Sequence, residues 1–269
     1  TFRFIMGNLN DFDEVSNNIN KNDLVEIDKW IISEAIKLHE EIQELNDNYA
    51  YHHVIQKIHN FCVHELGGVY LDIIKDRMYV TKSNSNARRS AQFALFEVAD
   101  ILIRLISPIL VFTAEEIWQS HELFKKQSAS IFTAPQKILS KRESSISDED
   151  WKKIFAVKDA VNQSIEKARA DSVIKGSLDS KIIISCDKKT YKALEKIEDE
   201  LKFVFISSEV EIAESSSSKL DIEVTNFDQK KCIRCWNKCS SVGLYVEDPE
   251  ICSRCYTNVY GDGEIRKFV

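Results

Sequence analysis

The chain has 269 residues, 43% of them hydrophobic and 29% charged, with a formal net charge of −7. That is the composition of a soluble globular protein of two or three domains, and it excludes a generic polyanion binder acting through overall charge. Seven cysteines with no signal peptide before them point to a reducing cytoplasm and a metal rather than to a disulfide framework, and no apolar run reaches the roughly 18–20 residues of a membrane span.

The first fifty residues hold 11 Asp/Glu against 4 Lys/Arg, so the rest of the chain is balanced and has room for local basic patches. The opening, TFRFIMGNL, begins without Met in an amphipathic pattern and reads as a piece of a longer protein. Phe2, Phe4, Ile5 and Leu9 suggest the end of a helix, and the polar DFDEVSNNINKND that follows reads as a loop. From Leu24, apolar residues at Ile27, Ile31, Leu38, Ile42 and Leu45 keep to one helical face. A second helix is predicted from Tyr51 to Leu66, with Val54, Ile58, Phe61 and Cys62 inward. Gly67-Gly68 should interrupt it before YLDIIKDRMY resumes.

A third long helix starts near Ala87, with Ala91, Leu95, Val98, Leu102 and Leu105 inward. Pro108 should kink or divide it, and Thr113 and Glu116 stand at capping-box spacing in the continuation PILVFTAEEIW. These helices predict an antiparallel bundle over residues 1–140. Residues 141–225 read as a small α+β unit. It comprises a helix from Trp151 to Ala170, strands at KIIISC, FVFIS, VEIAE and LDIEV, the helix TYKALEKIEDEL, and a turn at Ser215–Ser218. Residues 226–269 form a third module.

That last module carries Cys232, Cys235, Cys252 and Cys255 as two Cys-x-x-Cys pairs separated by sixteen residues. The spacing is that of a four-thiolate zinc site, because each pair turns tightly enough to aim two sulfurs at one point. One structural Zn2+ is expected there, closed to water and substrate. A module this small lacks a core of its own and needs the ion to fold. Cys239 is a bystander on spacing, and Cys62 and Cys186 fall on apolar faces as core residues.

Arg234 and Trp236 flank Cys235, where a pinned backbone presents side chains rigidly. A guanidinium and an aromatic held this way suit splayed bases of single-stranded nucleic acid; the alternative is that Trp236 caps the small core. Lys230, Lys231, Arg234 and Lys238 lie in an acid-free run over residues 229–246. A second basic cluster, Lys75, Arg77, Lys82, Arg88 and Arg89, has only Asp76 as an acid among residues 73–96. It is either a receiver for a phosphate backbone or a solvated surface. The histidines show no paired metal spacing, Gly261-Asp262-Gly263 lacks the context of a nucleotide loop, and no nucleophile–base constellation appears. No catalytic residue is predicted.

The stretches CIRCW with SVG after it, and ICSRCYTNVYGDGEIRKF, closely resemble the C-terminal zinc module of bacterial-type isoleucyl-tRNA synthetases. RFIMGNLNDFD, VYLDIIKDRMY, SPILVFTAEEIW and VKDAVNQSIEKARADSVIKGSLDSKI resemble landmarks of that family in the same order, so the resemblance covers essentially the whole chain. It implies the tRNA-reading part of a class I aminoacyl-tRNA ligase. The HIGH and KMSKS motifs for ATP are absent, so the fragment is expected to be inactive alone and to partner the catalytic domain of its own polypeptide. The implied ligand is the anticodon stem-loop of tRNA(Ile), with Arg234 and Trp236 at the anticodon end and no membrane partner. The family carries a non-ligand residue where Cys239 stands. The rival readings are a zinc-ribbon protein-interaction or regulatory module on a helical scaffold, and the equivalent region of a valine or leucine tRNA ligase.

Overall fold

A computed structural model of the chain describes residues 1–13, 23–217 and 219–269; most of the polar loop predicted over residues 11–23 lies outside the described residues. The protein is mainly helical, with one small mixed sheet and a buried four-cysteine cluster. It divides into two compact units, residues 1–78 with 86–144, and residues 79–85 with 145–269. Among the described residues no helix is long and apolar enough to cross a membrane.

The first unit opens on α1 (Phe2–Asn8), whose Ile5 is fully buried along with the following Leu9. Helix α2 (Glu26–Asp47) follows, with Ile27, Ile31, Leu38 and Ile42 buried as the period predicts and Leu45 half-buried. Its N-cap, Val25, offers no side-chain acceptor, and the Val25 N–H instead donates to Ser90 Oγ at 2.9 Å. Glu26 and Asp28 place negative charge in the first turn, where the helix dipole favours it.

Helix α3 (Tyr51–Phe61) does not break at the glycine pair. It runs into a π-helix, Cys62–Tyr70, and on through α4 (Leu71–Ile73) and α5 (Lys75–Val80). The glycines make the wide turn possible: a Cβ on Gly67 would stand 2.8 Å from the Cys62 carbonyl oxygen, and one on Gly68 3.1 Å from that of Val63. The expected interruption is therefore a local change of helical pitch.

Helix α6 (Asn86–Ile106) is buried over most of its circumference and packs along α2, with α1 and α7 (Val111–Ser120) also against it. Pro108 lies in the short break between α6 and α7, as predicted. The capping box is not realised: the N-cap of α7 is Leu110 with no side-chain cap, so Thr113 and Glu116 are already inside the helix. After the short α8 (Glu122–Lys125), residues up to Ser144 return along the unit, held where Lys137 Nζ reaches Asp100 at 2.7 Å and Glu97 at 3.2 Å.

In the second unit α9 (Asp148–Ala170) is capped by Ser147, whose hydroxyl accepts the Asp150 N–H. The sheet has the order β2-β1-β3. β1 (Ser180–Cys186) lies centrally, parallel to β2 (Glu209–Glu214) and antiparallel to β3 (Asp221–Asn226). Ile182, Ile184 and Cys186 alternate inward on β1, toward the layer of α9 and α10 (Lys188–Glu195). FVFIS is not a strand. Phe203 and Val204 end a short helix, α11 (Leu201–Val204), and Phe205 follows in its last turn, all three buried. A buried apolar run of this length carries no period that separates strand from helix. The cysteine-bearing segment ends in α12 (Ser253–Tyr260). It is tied to the sheet layer where the Lys238 N–H donates to Ser208 Oγ at 2.7 Å and the Phe227 N–H to Asp179 O at 2.8 Å.

Candidate metal centre and nucleic-acid interface

The metal centre is built from two tight turns. In the first, the Trp236 N–H donates to Cys232 O and the Cys232 N–H to Asn237 O, both at 2.9 Å, above a bridge pairing Lys231 with Lys238. This hairpin aims Cys232 and Cys235 inward. In the second, Cys252 is the N-cap of α12 and Cys255 lies in its first turn, with the Cys255 N–H directed to Cys252 Sγ at 3.5 Å. The Cys252 N–H reaches Cys232 Sγ at 3.3 Å and joins the two turns.

All four sulfurs lie within 4.8 Å of one another and are buried. Cys232 to Cys255 and Cys235 to Cys252 are each 3.7 Å apart. A tetrahedral ion with metal–sulfur bonds of about 2.3 Å requires sulfur–sulfur edges of roughly 3.8 Å, so the cluster has the size and donor set of a four-thiolate site. Hydrogen bonds from Cys252 and Cys255 hold the Cys235 thiol far below its usual range, while the bond to Cys235 pushes Cys252 up to about 12 and Cys255 higher still. A dication held by the four sulfurs would displace their protons. Cys239 is outside the cluster, its sulfur 3.4 Å from Ser241 Oγ. Cys186 is in the core, where burial raises its thiol, and Cys62 is half-buried.

Trp236 follows the first turn with φ of +64° and remains 63% exposed. The left-handed region costs a non-glycine residue about 1–2 kcal/mol, so this indole stands in solvent at a position that glycine fills more easily. Ile233 beside it is also exposed. The Arg234 guanidinium donates through Nη2 to Val80 O at 2.9 Å. Lys230 is exposed, Lys231 Nζ lies 3.4 Å from Asp179, and Lys238 Nζ donates to Asn226 Oδ1 at 2.9 Å.

The second basic cluster is largely consumed by its own fold. Arg77 is not a surface group: it is buried, with Nη1 and Nη2 on the Asp28 carboxylate at 2.9 and 2.5 Å and Nη1 also on Ala87 O. Tyr70 and Ser90 donate to the same carboxylate. Asp28 sits at the start of α2, far away in sequence, and no local pattern announces the pair. Arg88 forms a two-pronged pair with Asp11 at 2.5 and 3.0 Å, and Arg89 donates to Asp11 O and Gln92 Oε1, both at 2.7 Å. Partial burial works to raise the Asp11 carboxyl, but hydrogen bonds from Arg88 and Gln92 and the two guanidinium charges hold it below its ordinary value. Lys82 Nζ donates to Gly261 O at 2.8 Å. Lys75 remains exposed, paired with Asp72 at 2.8 Å.

Compared with known proteins, residues 28–184 match the family described as the anticodon-binding domain of tRNA ligase. Over its whole length the chain is 40% identical to an isoleucine–tRNA ligase of Shewanella halifaxensis, 39% to one of Alcanivorax borkumensis and 40% to one of Pseudoalteromonas translucida. It spans 30% of the length of each of these relatives. The family match takes in more than half of the chain, and this protein belongs to the anticodon-binding domain family of tRNA ligases.

Proposed function

We propose that this chain is the tRNA-reading part of an isoleucine–tRNA ligase and grips the anticodon stem-loop of tRNA(Ile). The remainder of that polypeptide would activate isoleucine with ATP and transfer it to the tRNA in the cytoplasm. The observation that carries the reading is Trp236, an exposed indole held in a strained backbone conformation beside a buried cysteine cluster. An indole so placed can stack an unpaired base, a contact worth about 1–3 kcal/mol. Lys230, Lys231 and Lys238 surround it in sequence and supply attraction to phosphate without carrying base identity.

Zn2+ is the ion that suits the site, with Cys232, Cys235, Cys252 and Cys255 as its ligands. When bound it supplies no reaction chemistry, because four thiolates close its coordination, and its contribution is to fasten the fold. Arg234 is assigned to the same corner, its guanidinium directed by the bond to Val80 O. Lys75 is a candidate phosphate contact in the helical unit.

The test is binding of the chain to tRNA(Ile) and to a tRNA for another amino acid, across a range of salt. Tighter binding to tRNA(Ile), falling steeply as salt rises, is expected. Equal affinity for both tRNAs would overturn the isoleucine assignment. Exposed Leu244 and Val246 favour the rival reading, a protein-interaction zinc ribbon, for which tRNA binding is absent and partner binding barely depends on salt.

A further inference from the structure

Residues 79–85 are the one part of the α5–α6 region that groups with residues 145–269. They touch the metal module at three kinds of point. The Val80 side chain is buried in the same apolar cluster as Cys232, Cys235, Cys252, Cys255, Val242 and Ile251. The Val80 carbonyl accepts from Arg234 Nη2 at 2.9 Å, one residue before Cys235. Lys82 Nζ donates to the carbonyl of Gly261, the C-cap of α12, at 2.8 Å. An ammonium at that end of a helix meets the negative pole of its dipole. α12 carries the second cysteine pair at its opposite end. Gly263 permits the approach, since its φ is +91° and a Cβ there would stand 3.2 Å from Lys82 Cβ.

We infer that residues 79–85 are a strap across the metal module, and that Lys82 is a positioning residue for the Arg234–Trp236 corner rather than a phosphate contact. The strap holds the first cysteine turn through Val80 and Arg234 and the second through Lys82 and Gly261, so the two turns are braced against one segment. The metal joins the sulfurs; the strap sets the orientation of what lies outside them. The inference rests on the reading of that corner as the RNA-facing group.

The experiment compares the full chain with Lys82→Met and Lys82→Arg, measuring zinc content, hydrogen exchange over residues 232–238 and tRNA affinity against salt. Removing a cation that neutralises an RNA phosphate lowers the slope of log affinity on log salt by roughly 0.7–0.9; removing a positioning residue leaves the slope unchanged. Lys82→Met is expected to keep one zinc per chain, exchange faster at 232–238, and bind tRNA about tenfold more weakly with the parental slope. Lys82→Arg, which keeps a cationic donor, should restore the affinity. A shallower slope with unchanged exchange would make Lys82 a phosphate ligand and overturn the inference. Unchanged affinity and exchange, or loss of zinc in Lys82→Met, would overturn it as well. If the parent chain binds no tRNA, the functional reading fails on its own, and faster exchange with zinc retained still decides for the strap.

Discussion

Two basic runs look alike in the sequence and differ in the folded protein. Lys75, Arg77, Lys82, Arg88 and Arg89 stand in a stretch with one acid, and Lys230, Lys231, Arg234 and Lys238 in a stretch with none. In the first run Arg77 is buried on Asp28, and Arg88 and Arg89 are turned onto Asp11. In the second, Lys231 meets Asp179 and Arg234 the Val80 carbonyl, yet Lys230, Arg234 and Trp236 stay exposed around the turn of the first cysteine pair. The difference lies in how far carboxylates remote in sequence take up the guanidiniums of the first run. Asp28 and Asp11 come from the acidic first fifty residues and neutralise guanidiniums about 50 to 80 positions later. A local count of charge measures how much cation a segment carries; the fold decides how much of it is left for a ligand.

The largest expected effect removes the second surface altogether. Cys252→Ser keeps an oxygen able to cap α12 but removes a proposed zinc ligand, and structural zinc contributes about 10–16 kcal/mol in modules of this kind. Metal analysis should show zinc lost, and hydrogen exchange should show residues 226–269 unprotected. Retention of both would mean that the four sulfurs do not hold the ion.

Next in size is Arg77→Ala, which strands a buried carboxylate and should cost about 3–5 kcal/mol, read as a lowered urea midpoint. The salt slope of tRNA binding should stay unchanged, because the Arg77 side chain is buried on Asp28. Replacing the pair together, as Arg77→Met with Asp28→Leu, should recover much of the stability. Trp236→Gly separates binding from folding more sharply. It should stabilise the module by up to about 1–2 kcal/mol, since glycine accepts positive φ, while weakening tRNA binding by about 1–3 kcal/mol. Titration and thermal melts on the same variant check both signs.

The legible features were those written in local spacing. The periods of α2 and α6, the strand at KIIISC and the two cysteine pairs all arise from residues a few positions apart. The illegible ones depend on what arrives from elsewhere. Gly67-Gly68 reads as a break, yet the pair lets a continuous helix widen without a Cβ against the carbonyls of Cys62 and Val63. FVFIS reads as a strand because a short buried run looks the same in either state. Among the site residues, the cysteines were legible as a set, and Cys239 fell outside it on spacing alone. The partners of Arg77, Arg88 and Lys82 were not, because Asp28, Asp11 and Gly261 carry no local mark of the residues they meet.

The smallest effect on stability is also the most direct test of how the two surfaces differ. Asp11 has its carboxyl held low in the folded chain, so its contribution to stability is present above the ordinary carboxylate value and is lost as pH falls through the depressed one. Its side chain is 45% exposed, and solvent screening limits the contribution to about 0–1 kcal/mol. Asp11→Asn should therefore lower stability slightly near neutral pH and flatten the acid limb of the pH–stability curve. The same substitution removes the anion that faces Arg88 and Arg89. If the fold, and not the residue type, withholds this cluster from RNA, Asp11→Asn should bind tRNA more tightly, with a salt slope steeper by up to about 0.9 for each arginine that gains a phosphate. Tighter binding with an unchanged slope would mean that the arginines still meet no phosphate. The first run would then be excluded by where it lies, and not by the acid it faces.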